Sequence, residues 1–288
     1  MVLWLALALL LQDDGVELRW KYPKGETIRY RMSQKVSSEV NGTPVRQQMA
    51  TTVALAVKDV DEKGVVTLEA RYEAVAARAS GVQEYDYDSE KDKEPPDDPA
   101  ARMMSKLVGQ SFGLTMSAAG KVLEVKGYEK LVEAMSRGVA DDEAGRERAR
   151  QALAQMFSDE AFKSRMQQLA PPLPEGRLKK GDGWSGDFTI RMPVVGTVRY
   201  VLRSKLADVA GGDALIDQEI KVEFKADPET PLSEQVQVRD AKGKSTAVFS
   251  VARGRFVSQK AAVEMVLVAG KSTVPVRVET ELTLLEKK

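Results

Sequence analysis

Asp86, Asp88, Glu90 and Asp92 place carboxylates at every second position, and Asp97 stands twelfth counting from Asp86. Oxygen donors so spaced are the raw material of a calcium loop. Lys91 occupies the position where the tight turn of such a loop takes Gly, and Lys91 and Lys93 dilute the charge. The run reads as a solvated acidic loop first and a weak calcium site second. Gly181-Asp182-Gly183-Trp184-Ser185-Gly186 matches G-x-G-x-x-G. A dinucleotide fingerprint follows a strand and opens a helix. Here prolines precede it and Phe188, Ile190 and Met192 alternate after it, so it is a loop leading into a strand. Gly243-Lys244-Ser245 and Gly270-Lys271-Ser272 share the end of a P-loop but lack its first glycine. Both read as hairpin turns. Asn41-Gly42-Thr43 is a glycosylation triplet followed by Pro44, and its turn chemistry explains it.

The chemistry excluded is wider than the chemistry offered. The 288 residues hold no Cys and no His. Disulfides, thiol nucleophiles, imidazole acid–base chemistry, the Ser–His–Asp triad and ordinary zinc sites are therefore absent. No Ser has Lys three residues later. Catalysis would rest on carboxylates, with Asp182, Asp187 and the run from Asp86 as the clusters to inspect. No cofactor is indicated. The 43 basic residues balance 43 acidic ones, so the basic footprint of nucleic-acid binding is missing.

Val2 to Leu11 is an unbroken apolar run. It is shorter than the roughly 20 residues of a membrane-spanning helix and fits the core of an export signal. No later segment reaches spanning length. The expectation is a signal peptide over 1–12 and a mature chain that is periplasmic or extracellular.

Period-two alternation governs most of the rest. Ile28, Tyr30, Met32 and Val36 share one face; Asn41-Gly42 is the strongest hairpin signal, since both central positions of a type I′ turn take positive φ. Strands are expected over about 45–60 and 65–79. Residues 127–170 change to helical spacing, with Leu131, Val132 and Met135, then Leu153, Met156 and Phe157, then Phe162, Met166 and Leu169 as apolar stripes. A short helix is expected over Ala100–Val108, and Asp141 and Asp142 as caps. Pro171, Pro172 and Pro174 end the helical region. Ile216, Ile220, Val222 and Phe224 then alternate with Asp217, Glu219, Lys221, Glu223 and Lys225, the mark of antiparallel strands with one wet face. Strands of this length must twist. The two β-rich stretches also share turn chemistry: Lys58–Gly64 parallels Ala207–Asp213, and Thr115–Val122 parallels Ser250–Phe256.

The fold expected is α+β, mostly antiparallel β. A long curved sheet or half-open barrel is built from two similar halves, 13–126 and 177–288, with the helical segment and proline joint 127–176 packed on it. In the first half Val53, Leu55 and Val57 face one way while Ala54 and Ala56 face the other; Ala74 and Ala76 do the same opposite Val75 and Ala77. Something must cover this alanine face. Either the helices pack there, or Ala54, Ala56, Ala74 and Ala76 line a ligand cavity.

Three segments carry a resemblance: Phe112-Gly113-Leu114-Thr115-Met116-Ser117-Ala118-Ala119-Gly120-Lys121-Val122, the prolines Pro171 to Pro174, and Gly181-Asp182-Gly183-Trp184. The chain resembles an uncharacterised family of exported bacterial proteins, a domain of unknown function, with a proline and Gly-Asp-x-Trp joint between two β halves. The resemblance implies export and no established activity. Many such relatives are lipoproteins; without Cys, no lipid anchor is implied here. More distantly, the fold is analogous to periplasmic carriers of lipoproteins and lipids. The expected function is a non-enzymatic envelope protein that binds or scaffolds, its partner an apolar small molecule or an envelope protein. The alternatives are a carboxylate- or metal-dependent enzyme and partner binding by edge-strand addition.

Overall fold

The computed structural model describes residues 15–94, 96–167, 171, 173–192, 196–226, 236–270 and 272–286. The Val2–Leu11 run and Pro172 lie outside them. A short strand β1 (Val16–Glu17) leads into β2 (Thr27–Val40), β3 (Thr43–Val60), β4 (Val66–Ser80) and β5 (Tyr85–Asp88). After α1 (Pro99–Ser105) come β6 (Ser111–Met116) and β7 (Val122–Lys126), then α2 (Glu129–Val139), α3 (Glu143–Met156) and α4 (Asp159–Gln167). The second half runs through β8 (Arg177–Leu178), β9 (Gly183–Met192), β10 (Gly196–Ala210), β11 (Asp213–Ala226), β12 (Val236–Ser250), β13 (Arg255–Ala269) and β14 (Ser272–Leu285).

Local chemistry accounts for many boundaries. Asn41 and Gly42 have φ of 52° and 78°, the two positive values a type I′ hairpin requires between β2 and β3. Asp98 caps α1 by accepting from the amides of Ala100 and Ala101 at 2.9 and 3.0 Å. Asp142 caps α3 through the Gly145 amide at 2.7 Å; Asp141, the other expected cap, offers only its backbone carbonyl, to Arg146. The Gly-Asp-x-Trp joint is a turn locked from both sides. The Asp182 carboxylate accepts from Lys179 N at 2.7 Å, Gly181 N donates to Leu206 O, and Leu206 N donates to Asp182 O.

One correction concerns Gly243-Lys244-Ser245. It is not a turn but the middle of β12, paired to Val263, Ala262 and Ala261 of β13. Gly243 is needed there because a side chain would meet Ala262 O at 2.5 Å. Gly270, with φ of 59°, does lie between β13 and β14.

The large sheet is antiparallel throughout, in the order β7-β6-β4-β3-β2-β14-β13-β12-β11-β10-β9, with β5 beside β4. This is an up-and-down meander wrapped round on itself. The chain starts at β2 in the middle, walks outward to β7, leaves the sheet as helices, re-enters at the opposite edge as β9 and walks back to β14, which pairs with β2. The β3–β4 and β10–β11 turns, and the β6–β7 and β12–β13 turns, hold corresponding places in the order of the two halves. Strands of up to 18 residues span roughly 60 Å at about 3.3 Å per residue and must coil.

The sheet does not close. Between its edges stands α4, which packs against both β7 and β9. Gln167 at its end acts as a surrogate peptide group: its Oε1 accepts from Val122 N at 2.9 Å and its Nε2 donates to Gly120 O at 3.0 Å. One hydrophobic cluster joins the inner face of the first half to the helices through Val53, Leu68, Phe112, Leu131, Met135 and Phe162. A second lies in the other half around Leu18, Leu206, Ile216, Phe249 and Phe256. Trp20 touches both, with ring centroids 5.8 and 5.5 Å from Phe249 and Phe256. The segment carrying Trp20 is fastened by Arg255, almost fully buried, which pairs with Glu26 at 2.7 Å.

Glu26→Gln should cost about 3–5 kcal/mol, because it strands the buried Arg255 charge; a loss below 1 kcal/mol in urea unfolding would show that the pair does not fasten this segment. Gln167→Leu should cost about 1–3 kcal/mol by leaving the Val122 amide and Gly120 carbonyl unpaired, and amide exchange at Val122 should rise with it.

Candidate functional site

The inward rows of the first half build a wall. Tyr30, Val53 and Tyr72 are cross-strand neighbours on β2, β3 and β4, and Leu55, Ala70 and Phe112 form the next row. Leu114 and Met116 of β6 extend the wall, and Met32 and Leu282 carry it across the β2–β14 junction. The roof comes from elsewhere in the chain: Trp20 and Tyr22 from the entering segment, Met166 from α4. These residues enclose a chamber of about 50 Å³. That is several times the space one water needs, and far below the 300–1,000 Å³ of ordinary ligand pockets. The chamber is therefore too small for an extended ligand.

Its polar groups are few. The Tyr30 hydroxyl donates to Phe256 O at 3.0 Å. Burial pushes the phenols of Tyr22, Tyr30 and Tyr72 above the ordinary tyrosine range, so all three stay neutral. The Trp20 indole N–H is buried without a hydrogen-bond partner. It abuts Gly120, where any side chain would collide with it. Gly120 also has φ of 85°, so the turn demands glycine twice over.

The alanines expected to line a cavity lie on the other side of the sheet. Ala54 is flanked by Arg29 and Arg71, and Ala56 by Thr27 and Glu69. Neither helices nor a chamber cover this face. Long charged side chains do, in the pairs Arg29–Glu73 and Lys58–Glu69. Aliphatic stems of such residues bury small side chains while their heads stay wet, and Ala54 and Ala74 are only 6% and 8% exposed. Beside Ala74 and Ala76 there is a crevice of about 10 Å³, room for one water. A bulge explains part of the displacement: Val53 faces Tyr72 but Thr52 faces Ala74, so Glu73 is the extra residue. Beyond it the β4 pattern changes face.

The carboxylates do not converge. Asp86 pairs with Arg78, Asp88 with Lys91 and Glu90 with Arg31. Asp187 pairs with Arg199. Among the described residues no group of three or more potential ligands could hold a metal ion. Where a described carboxylate has a shifted pKa the shift is downward. Lys24 holds Asp59 down, Lys91 holds Asp88 down, and the Arg150 and Gln151 hydrogen bonds hold Glu147 down to about 2. A general acid needs the opposite shift.

The model of a family of unknown function, DUF6263, matches residues 63–253. The chain belongs to that family. The matched region runs from the β3–β4 turn to the β12–β13 turn, and so includes the helices and the Gly-Asp-x-Trp joint. No protein with a curated description matches the chain. A solved structure of lipovitellin with its lipid is similar at 8% identity and a TM-score of 0.48, covering 92% of this chain. The chain spans about a quarter (26%) of that structure. An outer membrane channel from Pseudomonas putida F1 is similar at 7% identity and a TM-score of 0.28, covering 95% of this chain and 98% of its own. Rv2717c from M. tuberculosis gives 5% and 0.25, covering 89% and 91%.

Sequence reasoning left the alanine face to be covered either by the helices or by a ligand cavity, whereas the chamber lies on the opposite face of the sheet. The usable signal was the polar-tipped aromatics Trp20, Tyr22, Tyr30 and Tyr72, which alternate in register with the aliphatic core. An unfolded chain ionises its tyrosines near pH 10, whereas the folded chain keeps these three neutral. Stability is then full below pH 10 and declines as pH rises above it. Tyrosinate absorbance from Tyr22, Tyr30 and Tyr72 should appear only together with loss of near-ultraviolet circular dichroism. Early, non-cooperative ionisation of all seven tyrosines would show that the chamber is wet.

Proposed function

We propose that this chain is a non-enzymatic, exported binding module of the cell envelope that takes up an apolar ligand between its curved sheet and α4. The observation that carries this reading is the chamber itself. Its walls come from β2, β3, β4, β6 and β14, and part of its roof is Met166 of α4, the nine-residue helix between the two sheet edges. A helix seated by Phe162, Met166 and the two Gln167 hydrogen bonds is released at far lower cost than a strand in a ladder. Moving it outward would join the chamber to the exterior and enlarge it along the aromatic wall. Export rests on the apolar run Val2–Leu11. No helix among the described residues is long and apolar enough to cross a membrane. Edge-strand addition is the weaker reading, because α4 lies against both β7 and β9.

Native mass spectrometry of the full chain, purified from the compartment it reaches, should show a bound apolar species or uptake of the probe N-phenyl-1-naphthylamine. Ala70→Leu projects into the chamber from β4 and should reduce uptake at least fivefold while the circular dichroism spectrum is kept. Absence of any adduct together with absence of probe uptake would end the carrier reading. Recovery of the tagged chain only in the cytosol would end the export reading.

A further inference from the structure

The chamber wall ends at Met32 and Leu282, but the inner face of the sheet continues past them. The next cross-strand row is polar and uncharged. Ser204, Gln218 and Ser245 form one end of it, Thr280 and Gln34 the other, with Ala261 between. The first three are buried, and hydrogen bonds link them to one another and to Gln259. Thr280 and Gln34 are exposed, and among the described residues neither side chain has a hydrogen-bond partner. Beyond this row the same face turns apolar again. Val36, Val278 and Val263 are cross-strand neighbours on β2, β14 and β13, and Val276 and Met265 follow one row later. The strip is continuous with the cluster around Val198 and Val222. From Thr280 to Val274 on β14 it extends about 20 Å at the usual strand rise. The charged residues of these strands alternate onto the opposite face, where Lys35 pairs with Glu279 at 3.7 Å and Arg277 with Glu264 at 2.9 Å. The helices pack elsewhere: α1 on β4 and β5, α2 on β6, and α4 on β7 and β9.

We propose that this strip is a binding site for an uncharged single-chain amphiphile, a fatty alcohol or ester, with its oxygen function at Gln34 and Thr280 and its chain laid along Val278, Val276 and Met265. The inference rests on the reading of this chain as a binder of apolar ligands, and it names a ligand class and a second place for it. Unlike the chamber, the strip accepts an extended chain while α4 stays seated. The order of polarity selects the occupant. An apolar run bounded by a hydrogen-bonding row matches a molecule that is apolar along its length and polar at one end. The Gln34 amide and the Thr280 hydroxyl both donate and accept, so they suit an alcohol or ester oxygen. A charged head would meet no counter-charge here, because on β2, β13 and β14 no ionisable side chain lies on the inner face of this stretch; its lost hydration would go uncompensated. A protein partner could not add a strand at this place, since β13, β14 and β2 are each paired on both sides.

Calorimetric titration of the full chain with decanol, decanoate and decylammonium tests the ligand class. Decanol should bind at least fivefold more tightly than either ion. Gln34→Ala combined with Thr280→Ala should weaken decanol at least fivefold, and both positions are exposed, so the fold is kept. Either ion binding as tightly as decanol, or decanol affinity unchanged in the double variant, would overturn the proposal. Photolabelling of the unaltered chain with a decanol carrying a terminal diazirine tests the place. Labels should fall within residues 261–267 and 274–280. Labels on Tyr22, Met116 or Met166 instead would put the chain in the chamber, overturning the strip and leaving the carrier reading standing. A dimer in sedimentation that Val278→Arg dissociates would assign the strip to a second copy of this chain and overturn the proposal as well. No binding of any of the three ligands would overturn both the strip and the carrier reading.

Discussion

A sheet edge exposes a row of unpaired amides and carbonyls, and this sheet has two, at β7 and β9. Everything else in the architecture follows from how those edges are brought together without being paired. The long strands coil the sheet until its ends approach each other. Direct pairing of β7 with β9 would make a closed barrel with no edges at all. Instead α2–α4 are inserted between them in the chain, and α4 fills the seam. Gln167 offers one edge a single donor–acceptor pair in place of a ladder. Met166 of the same helix reaches the roof of the chamber.

The interior is organised around this asymmetry. The first half packs its inner face against helices, and the second half packs around Leu18, Phe249 and Phe256. Trp20 spans the two, with Tyr22 stacked on it at 6.0 Å. Farther along the second half the inner face turns polar. Gln218 donates to Ser204 at 2.9 Å, and Gln259 donates to Gln218 and Ser245 at 3.2 and 3.3 Å. This row separates the second apolar cluster from a third around Val198, Val222 and Val263. Buried amides linked in this way fix strand register, since a slip would leave each of them unpaired. The apolar chamber thus lies in the first half, away from this polar row.

Volume decides how the chamber is to be understood. At about 50 Å³ it is too small for a chain-like ligand. On the proposed carrier reading, uptake of a chain-like ligand would require α4 to be displaced, and the free energy of seating that helix would be subtracted from affinity.

Much of the fold was legible because its signals are local. Two positive-φ residues make the β2–β3 hairpin wherever they occur, Asp98 and Asp142 cap helices with their own neighbours, and alternation in β11 separates Ile216 and Ile220 from Asp217 and Glu219 without reference to any other strand. The candidate site was less legible. Ala54, Ala56, Ala74 and Ala76 were rightly set on one face, but a single strand does not record which of its faces the sheet will curl around. The bulge at Glu73 and the mid-strand Gly243 escaped notice for a related reason: each is a response to a neighbouring strand. The sequence alone determined the strands, their two faces, the helical interruption and the absence of thiol and imidazole chemistry, all properties of residues and their near neighbours. Only the tertiary structure decided which face became the interior and that α4 became the seam, because these depend on how distant edges meet when the sheet coils.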